Sequence, residues 1–164
     1  MAGSDVRFGV YLPQIGLEYP DLLARARHCE AAGVDSLWLF DHLYGPMLPD
    51  QPSLEAWTLA TALLANTERL RVGHLVLCAT FRHPALLAKM ATTLDVISGG
   101  RLDLGIGSGS YEPEHTEAGI PWGSAARRAE VLEDTLEVLT RMFADERTTY
   151  AGHHVTVTDL PNLP

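Results

Sequence analysis

PALLAKMATTLDVISGGRLDLGIGSG, residues 84–109, predicts a helix, a tight turn and a buried strand that runs into a glycine-rich loop. Pro84 suits the first turn of a helix, where a backbone N–H is not needed, and apolar residues follow it at helical spacing. Ser98-Gly99-Gly100 ends that helix, because glycine readily adopts the left-handed conformation of a helix cap. The strand then covers residues 102–106 and leads into the loop Gly107–Ser110.

The same alternation of strand and helix continues outward in both directions from this unit. We predict strands at 7–12, 36–40 and 71–78, and helices at 20–32, 53–66 and 124–143, with Ser53 as a helix cap. Strands that recur about every 30 residues with helices between them indicate βα units and a parallel sheet. Their nearly continuous apolar sequences are typical of a sheet that helices cover on both faces.

Two α/β folds share this pattern, a doubly wound sheet and a (β/α)8 TIM barrel. A dinucleotide-binding sheet would have GxGxxG after its first strand, but the sequence there is Leu12-Pro13-Gln14-Ile15-Gly16. We therefore favour the barrel. A barrel typically needs about 250 residues, and this chain has 164. We interpret residues 1–164 as a single incomplete domain, the N-terminal half of a barrel with four βα units. The alternative is a small complete protein that pairs with another copy.

The end of the chain predicts a β-hairpin-like insertion after the fourth helix. Two short strands are expected, at Thr148–Tyr150 and at His154–Val157, with a turn at Gly152 between them. The sequence Pro161–Pro164 has the composition of a linker. We therefore expect the barrel sequence to be cut within this insertion.

Composition limits the possible functions. The formal charge of −9 argues against nucleic acid as a partner, because nucleic-acid binding needs a basic surface. No apolar run approaches the roughly 20 residues of a membrane span, and the N-terminus lacks a basic-then-apolar signal segment. Cys29 and Cys78 form no CxxC pattern and are expected to be reduced, which suits a cytoplasmic protein.

Ligands bind barrels at the carboxyl ends of the strands, and this rule selects four short segments. They are Pro13-Gln14, Asp41-His42, Cys78–Thr80 and Gly107–Ser110. His42 is the side chain among them that can carry a proton near neutral pH, and Asp41 could orient it or cap the loop. The alternative for His42 is a structural hydrogen bond to loop backbone. The glycines of the loop either admit a ligand close to the backbone or allow tight packing.

The remaining candidates favour structural roles. Catalytic zinc needs about three protein ligands; Asp41 and His42 are adjacent and no HxH or HExxH pattern occurs, so no metal site is predicted. Trp38 and Trp57 are expected in the core. Among the other histidines, His74 is expected in the core, His83 at a helix start, His28 on an outer helix face, and His115, His153 and His154 in loop or hairpin.

Five stretches also carry a family resemblance that covers nearly the whole chain in order. They are VRFGVYLPQ, AAGVDSLWLFDHL, RHPALLAKMATTLDVISGGRLDLGIGSG, EPEHTEAGIP and RRAEVLEDTLEVL. The chain resembles the luciferase-like monooxygenase family, and within it the branch that uses the deazaflavin coenzyme F420. The block SGGRLDLGIGSG together with the triplet DHL is the most specific part of this resemblance.

The resemblance implies a (β/α)8 barrel with an insertion after the fourth helix. It implies an oxidoreductase that transfers hydride between F420 and a small organic substrate, with FMN as the alternative cofactor. An FMN-dependent monooxygenase using O2, or a non-catalytic flavin-binding half-barrel, are the alternative functions. Asp41 and His42 are implied to lie beside the deazaflavin ring, with His42 in a catalytic or cofactor-contacting role.

Further site residues follow from the same resemblance. A non-proline cis peptide at Leu75-Val76, or at the next bond, is implied to form a bulge behind the ring. Gly107, Ser108 and Gly109 are implied to form the floor of the site or contact a cofactor hydroxyl. Ser110 stands where the sugar-phosphate branch has an acid that donates a proton.

Unpaired sheet edges in the half-barrel also predict a homo-oligomer.

Overall fold

The computed structural model describes residues 6–164, and these form an α/β structure with a short hairpin at the end. Across this range, no helix combines the length and apolar character needed to cross a membrane. The strands of the main sheet are β1 (Gly9–Tyr11), β2 (Ser36–Leu39), β3 (Arg71–Cys78) and β4 (Leu102–Gly107). The helices are α1 (Tyr19–Ala31), α2 (Ala56–Ala65), α3 (Pro84–Ser98), α4 (Glu112–Glu117) and α5 (Ala125–Ala144). An antiparallel pair follows, β5 (Arg147–Ala151) and β6 (Thr156–Pro161).

The four main strands are parallel and lie side by side in sequence order. β1 pairs with β2, and β2 with β3, in parallel register. Between β3 and β4, the N–H of Val72 donates to Arg101 and the N–H of Ala79 donates to Gly107, so both strands advance in the same direction. The predicted parallel sheet is therefore confirmed.

By its internal contacts the chain divides into two compact units. One comprises the described part of Met1–Leu75 together with Arg101–Gly105, and the other comprises Val76–Gly100 with Ile106–Pro164. In the first unit, helices α1 and α2 and strand β2 contribute fully buried leucines, namely Leu22, Leu37, Leu39 and Leu63. In the second unit, α3 packs against α5, and the buried residues include Leu87, Leu94, Val138 and Met142.

Helix α3 begins and ends where the sequence predicts. Pro84 is its first residue, and the side chain of His83 accepts a hydrogen bond from the N–H of Ala85, as a helix cap does. Gly99 ends the helix with φ 67°, in the left-handed region that glycine adopts at little cost. The expected role of His83 at the helix start is therefore confirmed.

The predicted cap of α2 is wrong. The helix begins at Ala56, and the carboxylate of Glu55 accepts hydrogen bonds from Trp57 (3.0 Å) and Thr58 (2.7 Å). A carboxylate serves as well as a serine hydroxyl here, because it also favours the positive end of the helix dipole. Ser53 instead pairs with Ile15 in an isolated β-bridge.

The second strand of the hairpin also differs from the prediction, because it covers Thr156–Pro161 and not His154–Val157. The backbone N–H groups of His153 and His154 donate to the carboxylate of Asp134, at 3.0 and 2.6 Å, so this segment forms the turn. Pro161 belongs to the strand, and Asn162 donates hydrogen bonds beyond it. The prediction of a linker beginning at Pro161 is therefore wrong for Pro161 and Asn162, which are held by the hairpin and by hydrogen bonds to other elements.

Candidate active site

The segment after β2 carries Asp41 and His42. The side-chain amide of Gln14 donates to the carbonyl groups of Phe40 (2.8 Å) and Leu54 (3.3 Å), and Gln14 is itself fully buried. Asp41 is buried, whereas His42 is half-buried with its ring centroid 5.2 Å from that of Phe40. The structure thus brings two predicted segments together, the one after β1 and the one after β2.

Strand β3 breaks the regular alternation of buried and exposed side chains. Leu75 and Val76 are 53% and 41% exposed, and Leu77 and Cys78 after them are both buried. A regular strand points successive side chains to opposite faces, and two consecutive residues on one side are typical of a bulge. The exposed apolar pair lies where the resemblance implies contact with a ring. The cis peptide expected there stays a prediction.

The loop after β4 lies close to the end of β3. The carbonyl of Gly107 accepts from the N–H of Ala79 at 2.9 Å, and a Cβ at Gly107 would lie 2.8 Å from Val76. Gly109 has φ 86°, and a Cβ there would lie 3.0 Å from the sulfur of Cys78. Tight packing against side chains of β3 therefore favours glycine at both positions, and the positive φ favours it further at Gly109. Tight packing was one of the two interpretations left open, and the other, approach of a ligand, stays a prediction.

The serines of this loop remain accessible to a ligand. Ser108 is half-buried and Ser110 is exposed. Ser108 also lines a cavity of about 350 Å³ beside α5, whose other lining residues are Ala129, Leu132, Glu133, Leu136 and Glu137. The structure thus brings together the two other predicted segments, the one after β3 and the one after β4.

His115 is a buried residue that the sequence interpretation missed. It was expected in loop or hairpin, but it lies on α4 and is fully buried, so that expectation is wrong. Its Nε2 atom is 2.7 Å from the hydroxyl of Thr80, which follows β3. The signal in the sequence was Glu112-Pro113-Glu114, because proline and acidic residues favour the first turn of a helix.

A model of the luciferase-like monooxygenase family matches residues 6–164. The chain belongs to this luciferase-like monooxygenase family. The resemblance seen in the sequence is therefore confirmed, and with it the expected fold, the N-terminal half of a (β/α)8 barrel with a hairpin-like insertion.

Individual relatives in the luciferase-like family are F420-dependent enzymes. An F420-dependent glucose-6-phosphate dehydrogenase of Microbacterium testaceum is 37% identical over 131 residues, which cover 79% of this chain and 39% of that protein. An F420-dependent hydroxymycolic acid dehydrogenase of Mycobacterium tuberculosis is 29% identical over 154 residues, covering 93% of this chain and 42% of that protein. The chain thus spans less than half the length of these relatives.

A solved structure confirms the fold assignment. An F420-dependent secondary alcohol dehydrogenase, in complex with an F420–acetone adduct, matches with a TM-score of 0.86. The match covers 97% of this chain and 48% of that chain at 24% identity. At this identity the similarity shows a shared luciferase-like fold.

The other candidate residues have structural roles in this luciferase-like chain. His74 is fully buried and stacks on Trp57 with ring centroids 5.4 Å apart, so its expected place in the core is confirmed. Trp57 is likewise buried, as expected. Trp38 was also expected in the core, but it is only half-buried, and its indole N–H donates to the hydroxyl of Ser36 at 2.9 Å. His28 is exposed on α1, as expected.

A larger cavity, of about 700 Å³, lies at the amino ends of the strands. Three charged residues that line it make structural hydrogen bonds. The carboxylate of Glu30 accepts hydrogen bonds from the backbone N–H groups of residues 68–70. These bonds, and most of all those from Arg69 and Leu70, hold the pKa of Glu30 below its ordinary value. Arg71 binds the carboxylate of Asp103, and Arg101 donates to three oxygens. At the amino face of a barrel, such interactions typically stabilise the fold and do not form an active site.

Proposed function

We propose that the protein is an F420-dependent oxidoreductase that transfers hydride between the deazaflavin and a small organic substrate. The observation that carries this proposal is the 37% identity to a relative named as F420-dependent, over 79% of the chain. The relative at 29% identity is also named as F420-dependent, although it acts on a different type of substrate. These names favour F420 over FMN as the cofactor.

The residues at the carboxyl ends of β3 and β4 fit a flat, polycyclic cofactor. Leu75 and Val76 expose apolar side chains that can cover the face of a ring. Gly107 has no Cβ, and the loop after it presents the hydroxyl groups of Ser108 and Ser110 to a polar part of the cofactor. We therefore assign these residues, together with Gly109, to cofactor binding.

When bound, F420 would supply the hydride chemistry, and the protein would bind, orient and move protons. His42 is assigned the transfer of a proton to or from the substrate or the ring carbonyl, because it is half-buried at the end of β2 and an imidazole can serve as a general acid or base. Asp41, buried beside it in sequence, is assigned the role of holding the segment that carries His42.

Ser110 narrows the proposed substrate class. The sugar-phosphate branch of the family is expected to have an acid at this position as proton donor, and a serine hydroxyl cannot protonate a substrate in that way. We therefore propose a small organic substrate other than a sugar phosphate, with His42 as the proton-transferring residue.

The test uses the natural gene product that contains residues 1–164, purified and titrated separately with F420 and with FMN by fluorescence. Hydride transfer is then followed by the absorbance of oxidised F420 with a panel of alcohols and aldehydes, and with glucose 6-phosphate. Binding of F420 with turnover of a non-phosphorylated substrate is expected. Binding of FMN alone would refute the cofactor assignment, and F420 binding without any turnover would favour a non-catalytic flavin-binding protein.

Three broader features accompany this proposal. We propose that residues 1–164 belong to one barrel domain, that the protein self-associates, and that it is cytoplasmic. The free thiols of Cys29 and Cys78 support the cytoplasmic location, because reducing compartments preserve thiols. The acidic net charge of −9 supports a small-molecule partner over nucleic acid.

A further inference from the structure

Three side chains form a hydrogen-bonded chain at the end of β3. The sulfur of Cys78 lies 3.0 Å from the hydroxyl of Thr80, and this hydroxyl lies 2.7 Å from Nε2 of His115. The other ring nitrogen of His115, Nδ1, lies 3.0 Å from the carbonyl oxygen of Tyr111. The chain thus connects the end of β3 to the residue that follows the loop Gly107–Ser110.

The direction of each hydrogen bond follows from the groups at its ends. The carbonyl of Tyr111 can only accept, so Nδ1 of His115 carries the proton. In the neutral ring Nε2 must then accept, and the Thr80 hydroxyl donates to it. The oxygen of Thr80 remains able to accept from the thiol of Cys78. Every link therefore joins one donor to one acceptor.

Aromatic side chains enclose His115. Its ring centroid lies 4.7 Å from that of Phe81 and 4.7 Å from that of Trp122, and the guanidinium of Arg128 stacks 3.8 Å from the Trp122 ring. Because His115 is fully buried, solvent cannot readily replace a lost partner at Nε2. The sulfur of Cys78 also lies 3.6 Å from Nε2 of His115. Removal of the Thr80 hydroxyl would therefore leave this buried acceptor with only a thiol, which is a weak donor.

The loop that bears the two serines is fastened at both ends by this arrangement. At its start, Gly107 accepts from Ala79, and at its end Tyr111 accepts from His115. Between them, Gly109 passes so close to Cys78 and Trp122 that a Cβ would lie 3.0 and 3.3 Å from them. The position of Ser108 and Ser110 therefore depends on groups at the end of β3 and on the buried ring of His115.

We propose that Thr80 and His115 are positioning residues that fix the Ser108–Ser110 loop for the cofactor. The inference rests on the proposed function, because it takes these serines to contact F420. Neither Thr80 nor His115 acts on the reacting atoms. They hold the backbone of the loop in one conformation, so that the cofactor does not have to order it on binding.

The test compares Thr80→Val with Thr80→Ser in the natural gene product. Valine keeps the shape of threonine and removes the hydroxyl, whereas serine keeps the hydroxyl. We expect Thr80→Val to weaken F420 binding about tenfold, which equals about 1.4 kcal/mol, and Thr80→Ser to bind like the wild type. Thr61→Val is the matched control, because the Thr61 hydroxyl is also partly buried but bonds to its own helix.

A second measurement follows the loop without the cofactor. In protein labelled with ¹⁵N-glycine, we expect an order parameter for the Gly109 amide near 0.85 in the wild type and below about 0.6 in Thr80→Val. If Thr80→Val does not fold, His115→Gln replaces it. The side-chain carbonyl of the glutamine can still accept from the Thr80 hydroxyl, whereas the bond to the carbonyl of Tyr111 is lost. That variant should also mobilise Gly109.

The outcomes separate this inference from the proposed function. A mobile Gly109 with weaker F420 binding, rescued by Thr80→Ser, would support the positioning role. A rigid Gly109 in Thr80→Val, or a mobile Gly109 with unchanged F420 affinity, would overturn it. A wild type that does not bind F420 would refute the proposed function, and Gly109 mobility would then still decide whether the chain of hydrogen bonds fixes the loop.

Discussion

His42 follows the carboxyl end of β2 and is half-buried, whereas His28 lies on the outer face of α1 and is exposed. His74 is buried against Trp57, and His115 is fixed by Thr80 and Tyr111. The same imidazole therefore serves different purposes because of where each strand or helix places it. His42 is partly exposed and lies at the end of a barrel strand, and this combination favours a role in ligand binding or catalysis.

We predict that His42→Ala lowers turnover of F420 in the natural gene product by roughly 10²–10⁴-fold, as expected for loss of a general acid or base. The free energy of unfolding should change much less, because the side chain is only half-buried. Steady-state rates and urea unfolding measure the two effects. His28→Ala is the control and should retain the wild-type rate.

Full activity of both variants with the cofactor bound would make His42 a structural histidine. Loss of cofactor binding in His42→Ala would instead indicate contact with the ring and not proton transfer.

At the scale of helices and strands, the four βα units could be predicted, whereas the short helix α4 and the bounds of β6 could not. Strand β3 and helix α3 follow the predicted bounds, because apolar spacing, Pro84 and Gly99 all indicate the same structure. Helix α4 has six residues, too few to show helical periodicity, so His115 was misplaced with it. The start of β6 depends on Asp134, which is distant in sequence and binds the backbone of His153 and His154. Local sequence patterns cannot predict such a long-range contact.

Asp134 fastens the hairpin to α5. Its buried carboxylate accepts from the N–H groups of His153 and His154 and from the hydroxyl of Tyr150 at 2.8 Å. Burial by itself raises the pKa of Asp134, but the hydrogen bonds from His154, Tyr150 and His153 outweigh it and hold the pKa below its ordinary value. The bond to Asp134, followed by burial, raises the pKa of Tyr150 to about 12.

We predict that Asp134→Asn lowers the free energy of unfolding by about 2 kcal/mol, because the new amide N–H₂ faces backbone donors and leaves one unsatisfied. Urea unfolding at pH 7 measures this change. Glu137→Gln on the same helix is the control. Glu137 forms an exposed pair with Arg141 at 3.0 Å, and such pairs contribute at most about 1 kcal/mol.

The Asp134 contribution should also depend on pH in one direction. A carboxyl whose pKa is lower in the folded protein contributes stability above its unfolded pKa, taken as 3.8, and loses it as the pH falls through the folded value. The difference between wild type and Asp134→Asn should therefore be constant from pH 7 to 5 and shrink below about 3.8. A difference that grows on acidification would contradict this account of the hairpin.

At the scale of the whole chain, the order β1-β2-β3-β4 leaves β1 and β4 as edge strands. On and beside β1, apolar side chains are exposed, among them Phe8 at 69% and Tyr11 at 48%. An exposed apolar edge is a template for pairing with another chain. Such an edge was expected from a half-barrel sequence, because the strands that would pair with β1 and β4 in a closed barrel are not among these four.

We predict that a polypeptide of residues 1–164 self-associates through the edge at β1, and that Val10→Lys weakens this association at least about tenfold in its dissociation constant. Lysine on an edge strand opposes pairing, because association would bury its charge. Leu86→Lys is the control, since Leu86 is 57% exposed on α3 and the substitution adds the same charge to a helix face. Sedimentation velocity over a range of concentrations measures the association of all three proteins. If Leu86→Lys dissociates the polypeptide and Val10→Lys does not, the contact is made by the helix face, and a wild type that stays monomeric at all concentrations would contradict both routes.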